Sequence, residues 1–127
     1  MLIEHARAYI HASESPDLPG SWTDLIPSTA SPAIAIAATL HNLGTAACRT
    51  DVMVLEPDGT EWFLCQEVEL RRGEQRDFTT VPYPIPRGSR VCARTRSSHP
   101  RNQVVVSVAL TSRQPARDAG PTTDGRP

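Results

Sequence analysis

The sequence predicts an all-β protein: an antiparallel β-sandwich, jelly-roll or immunoglobulin-like, of roughly seven or eight short strands. Two observations predict it. Turn signals recur roughly every 8 to 12 residues between short segments that alternate apolar and polar side chains. No segment carries a convincing helical period. The chain of 127 residues suits one domain, placed at 1–112, followed by a tail at 113–127. That tail has no apolar residue larger than Ala and is rich in Pro, Gly, Thr and Asp, a composition expected to stay disordered. With an apolar fraction of 39% but only 5% aromatic residues, the core must rest on Val, Leu, Ile and Ala.

Residues 2–11 alternate, with Ile3, His5, Arg7 and Tyr9 on one face and Ala6, Ala8 and Ile10 on the other, as in a strand. Residues 13–32 read as a long connection without regular structure, broken by Pro16, Pro19, Gly20, Pro27 and Pro32. A strand from residue 33 places Ile34, Ile36, Ala38 and Leu40 on one face, and 41–45 closes it. The strand at 46–55 turns Val52 and Val54 inward. Pro57-Asp58-Gly59 is a tight turn, since proline presets φ and glycine accepts a positive one. The returning strand sets Trp62 and Leu64 against Phe63 and Cys65, then continues through Val68 and Leu70. After the turn at 71–74, a short strand surrounds Phe78, which is expected to be mostly buried in the core. Pro82, Pro84 and Pro86 lack donors, so 82–86 must follow a sheet edge or bridge two sheets. The turn at 87–89 leads to strict alternation of Val91, Ala93 and Thr95 against Arg90, Cys92, Arg94 and Arg96. The last strand puts Val104, Val106, Val108 and Leu110 on one face.

The same residues offer little chemistry. Net charge is −1, which gives no global attraction to nucleic acid or anionic membrane. Cys48, Cys65 and Cys92 form no CxxC pair and no zinc spacing, and read as small buried thiols of a reducing compartment. One disulfide stays open if two of them face each other. His5, His11, His41 and His99 cannot be assembled into a ligand set, so neither a metal nor another cofactor is expected. No phosphate-binding, metalloprotease or nucleophile-elbow motif occurs, and Glu67 and Glu69 alternate with Val68 and Leu70 as a solvent-facing strand does. An enzyme is not expected. No signal peptide is read in Met1–Arg7, and no apolar run is long enough to span a bilayer, so synthesis in a cytoplasm is expected.

Two features suggest contacts with other molecules. Arg90, Arg94 and Arg96 share one strand face as a basic stripe, suited to an acidic partner; no aromatic residue interleaves with it, so base stacking is unsupported. Trp22, Leu25 and Ile26 sit in the proline-rich connection, where apolar side chains must cover their own domain or enter a neighbour, the neighbour being favoured. These six residues form the candidate interface.

The stretch from Trp22 to Leu110 resembles the small β-sandwich accessory proteins of tailed bacteriophages and gene transfer agents. The resemblance is carried by Trp22-Thr23-Asp24-Leu25-Ile26, Leu40-His41-Asn42-Leu43-Gly44-Thr45 and Leu55 to Trp62. It continues in Leu70-Arg71-Arg72-Gly73-Glu74 and Ile85 to Val91, and ends in a Val-rich final strand. It implies a structural part of the virion at the head, neck, tail or fibre, assembled as a homo-oligomer beside other virion proteins, with no direct contact to nucleic acid or membrane. It carries over no functional residue. The alternative is a module that binds carbohydrate or protein through Trp22, Trp62, Phe63 and Tyr83. A small cupin-shaped enzyme is a third reading, opposed by the missing metal ligands.

Overall fold

The computed structural model describes residues 3–12, 20–99 and 101–112. The expected disorder of 113–127 and part of the proline-rich connection therefore lie outside the described residues. Eight strands are present: β1 (Ile3–His11), β2 (Thr23–Ile26), β3 (Ala33–Asn42), β4 (Cys48–Leu55), β5 (Glu61–Leu70), β6 (Gln75–Ile85), β7 (Arg90–Ser97) and β8 (Gln103–Ser112). No helix occurs among the described residues.

Four antiparallel pairs are nested inside one another: β4 with β5, β3 with β6, β2 with β7, and β1 with β8. Further pairing of β3 with β8 and of β4 with β7 joins them into two four-stranded sheets. Their strand orders are β1-β8-β3-β6 and β2-β7-β4-β5. An immunoglobulin-type sandwich seats its first strand beside its second. Here the first strand lies beside the last, which makes the sandwich a jelly roll.

Three local expectations need correction. The connection at 13–32 contains a strand, β2. Its four residues are too few to show a period, and pairing with β7 rather than pattern holds them. In β3 a bulge between Ala35 and Ala37 resets the phase, so Ala35, Ala38 and Leu40 are buried while Ile34 and Ile36 are only half-buried. In β5 two register shifts against β4 do the same. Cys65 opposite Val52 and Trp62 opposite Val54 both face inward, while Phe63 opposite Met53 faces outward. Trp62 and Phe63 still point to opposite sides. The second shift places Glu67 at φ 48, a costly value for a residue with a side chain. Its N–H donates to Asp51 Oδ1 at 2.6 Å, which offsets that cost.

Among the described residues the fully buried core contains no aromatic side chain, while Phe78 and Tyr83 pack against it half-buried. It is built from Ile10, Leu40, Val52, Val54, Leu70, Ile85, Val91 and the row Val104, Val106, Val108 and Leu110, with small Ala and Cys between them. Phe78, expected to be buried, is half-buried, because β6 is an edge strand and one flank of the ring lies open beneath Arg76. The prolines of β6 run along that edge, where a missing donor costs no ladder bond. Cys48, Cys65 and Cys92 are buried and unbonded to one another.

Polar ties fasten both ends of the sandwich. At one end Asn42 and Asn102, 0% and 1% exposed, bond to each other at 3.0 Å. Asn42 Nδ2 also donates to the carbonyls of Ala46, Leu70 and Arg71, and Asn102 Oδ1 accepts from the N–H of Ala46. Three loops are thereby joined. Gly44 is required there, since a Cβ would stand 1.6 Å from Asn102 Oδ1. At the other end Thr29 and Ser89 tie the β2–β3 loop to the β6–β7 turn through the carbonyl of Pro86.

Candidate interaction surface

The exterior of the β2-β7-β4-β5 sheet gathers most of the residues singled out in the sequence. Inward Val91, Ala93 and Thr95 force Arg90, Arg94 and Arg96 outward, as their alternation requires. The stripe is not a free basic surface. Arg90 is paired with Asp24 of β2, Arg94 Nε with Asp51 Oδ2 at 2.9 Å, and Arg96 with Glu67 Oε1 at 3.0 Å. Each partner lies on a neighbouring strand or at a bulge, out of reach of a reading along one strand. The signal for Asp51 was available: an acid directly ahead of the apolar run Val52-Met53-Val54, in the same strand, needs a partner.

Trp22 lies over this exterior. Its ring takes the Arg94 guanidinium at 4.2 Å from the ring centre and meets Phe63 of the far edge strand at 6.3 Å and 54°. Between β2 and β5, Met53 and Cys92 face the same side as Arg94, yet are only 3% and 0% exposed. Neither belongs to the central core. A second, minor apolar layer thus sits outside the sheet, with Trp22 as its cover. Leu25 and Ile26 pack against the main core. In the single chain Trp22, Leu25 and Ile26 each touch their own domain, one of the two placements open to them. Burial pushes the Cys92 thiol up to about 11, with the Arg90 charge acting against it, and burial likewise raises Cys65 to about 11.

Two further aromatic residues form a plug. Trp62 and Tyr83 face each other from the edges of the two sheets and stack at 4.6 Å and 2°. The Tyr83 hydroxyl donates to Glu56, which pushes the Tyr83 pKa up to about 12. Trp62 remains 43% exposed. The four-residue platform Trp22, Trp62, Phe63 and Tyr83 is not assembled: it divides into an outer pair and a plug between the sheets. Among the described residues, no group of three or more His, Cys, Asp or Glu could hold a metal ion. His99 accepts the N–H of Arg101 as a loop cap, and His5 and His11 lie exposed on β1.

No protein-family model matches the chain, and no curated protein matches it in sequence. Among solved structures it is similar to a chain in the acidic stable capsid structure of Helicobacter pylori bacteriophage KHP30. The identity is 14%, the match covers 88% of this chain and 89% of that one, and the TM-score is 0.57. A chain in the structure of infectious bursal disease virus, Gt strain, matches at 10% identity over 87% of this chain and 37% of that one, with a TM-score of 0.43. The CBM22-1-GH10 xylanase 10B of Clostridium thermocellum matches at 9% identity over 88% and 26%, with a TM-score of 0.40. The likeness to the bacteriophage KHP30 chain is one of fold.

Proposed function

We propose that the protein is a non-enzymatic structural component of a phage-like particle, assembled as a homo-oligomer at the head, neck, tail or fibre and located in the virion. One observation carries this reading. The jelly roll matches a chain of a phage capsid structure over 88% of this chain and 89% of that one. The β7 arginines paired within the chain, Leu25 and Ile26 packed against the core and loops tied by buried asparagines suit a rigid building unit. Its partners are copies of itself and other virion proteins. Density-gradient purification of particles from a strain carrying the gene tests the proposal. The protein is expected in the particle band at a fixed ratio to the major capsid protein, and its gene deletion should yield incomplete particles. Recovery only in the soluble fraction, with intact particles in the deletion strain, would overturn it.

The exposed flank of Trp62 favours a second reading, a carbohydrate-binding module that stacks a sugar ring on that indole. Quenching or shift of tryptophan fluorescence by oligosaccharides, lost in Trp62→Ala, would support it over the first.

A further inference from the structure

The exterior of the β1-β8-β3-β6 sheet is finished differently. Its two central strands present Val105, Ser107 and Ala109 from β8 and Ala37, Thr39 and His41 from β3, all small or modest in size. A shallow depression of ≈ 350 Å³ runs across them, bounded by Arg7 and Tyr9 on one side and Gln75 on the other. Tyr9 is 56% exposed. Two formal charges stand on this face among the described side chains, Arg7 on edge strand β1 and Asp77 on edge strand β6. Neither has an ion-pair partner among the described residues. Both lie in one row across the sheet: Arg7 is opposite Ser107, Ser107 opposite Thr39, and Thr39 opposite Asp77.

We propose that this face is a two-fold interface with a second copy of the chain, in which Arg7 of each copy pairs with Asp77 of the other. The symmetry argument is short. Two copies can meet face to face about a two-fold axis lying in the interface. If that axis runs along the strands, β1 of one copy lies over β6 of the other, at the same height. Arg7 then meets Asp77 twice, and small residues of β8 meet small residues of β3, allowing sheets to approach to about 10 Å. If the axis instead runs across the strands, each edge strand lies over its own counterpart and like charges come together. The charges select the first arrangement. Four strands at about 4.8 Å spacing and nine residues at about 3.3 Å give a footprint of roughly 600 Å² per copy, which reaches the lower range of specific interfaces.

The inference rests on the homo-oligomer part of the functional reading and not on a place in a particle. Sedimentation equilibrium on the full chain tests it with Arg7→Glu, Asp77→Arg and the double variant. Both residues are exposed, so circular dichroism should show all three folded. The wild type should form a dimer. Each single reversal puts two like-charged contacts into the interface and should weaken it at least about tenfold, and the double variant should recover most of the loss. A dimer that all three variants leave unchanged would overturn the proposed face while the homo-oligomer reading stands, as would failure of the double variant to recover. A wild-type chain monomeric at about 100 μM would overturn both.

Discussion

The two sheet exteriors are made from the same period-two alternation and end in opposite states. On β2-β7-β4-β5 the outward positions carry long charged side chains, and Asp24, Asp51 and Glu67 answer the three arginines of β7. An indole covers what lies between. On β1-β8-β3-β6 the outward positions of the two central strands are small or modest in size, and Arg7 and Asp77 on the edge strands stand three strands apart, beyond each other's reach. The difference teaches that charge count is a poor guide to an available surface. The three arginines of β7 are answered from within the chain, whereas Arg7 and Asp77 on the plainer face have no ion-pair partner among the described residues.

The largest expected effect comes from removing the cover. Trp22→Ala should cost about 2–4 kcal/mol in chemical denaturation, somewhat less than for a fully buried indole. It should also make Cys92 react with a thiol reagent in the native state while Cys48 and Cys65 stay protected. Equal protection of all three thiols would show that Trp22 is not the cover. Asp51→Ala comes next, at about 2–3 kcal/mol, because it strands the Arg94 guanidinium and the N–H of Glu67 together. Asp24→Ala, at the more exposed pair, should cost only about 0.2–1 kcal/mol. Equal losses for the two aspartates would erase the distinction between a satisfied interior pair and a surface one.

The thiols give a test by pH. Cys65 and Cys92 are raised from the ordinary 9.0 to about 11, so the folded state holds protons that the unfolded chain releases. Their contribution is fully present below pH 9 and is lost as pH rises toward about 11, at up to about 1.4 kcal/mol per pH unit for each thiol. Cys92→Ala should flatten that fall, as should Cys65→Ala. A slope unchanged in both would place its origin elsewhere. The smallest effect on stability is expected on the plain face: Ser107→Lys, at a half-buried position on the outer side of a central strand, should shift denaturation by less than about 1 kcal/mol. The same change should lower self-association in sedimentation.

Most of the frame was legible because alternation and turn chemistry are local. The row Val104 to Leu110, the outward arginines, the glycine turns and the edge position of the β6 prolines all follow from neighbours in sequence. What was hidden depends on partners far along the chain. The bulges at 35–37 and 64–67 move residues between faces without altering composition. β2 exists only because β7 pairs with it. The acids that pair with the stripe arrive from three other places along the chain, and Leu25 and Ile26 of the same candidate interface pack against the core rather than beside the arginines. Phe78 was legible as inward-facing, but its half-burial follows from the edge position of β6, which sheet order alone decides.

The nesting of strand pairs has a kinetic consequence. The β4–β5 hairpin closes through a short turn and can form early, but every later pair encloses the one before it and must close a longer loop. β1, made first, has as its sheet neighbour β8, made last, and β8 also fills the place between β1 and β3. Throughout synthesis the chain therefore holds two unpaired strand edges in readiness for a segment still to come. A message cut short before residue 103 would leave a product with both edges permanently open, a template for aggregation rather than a smaller folded protein.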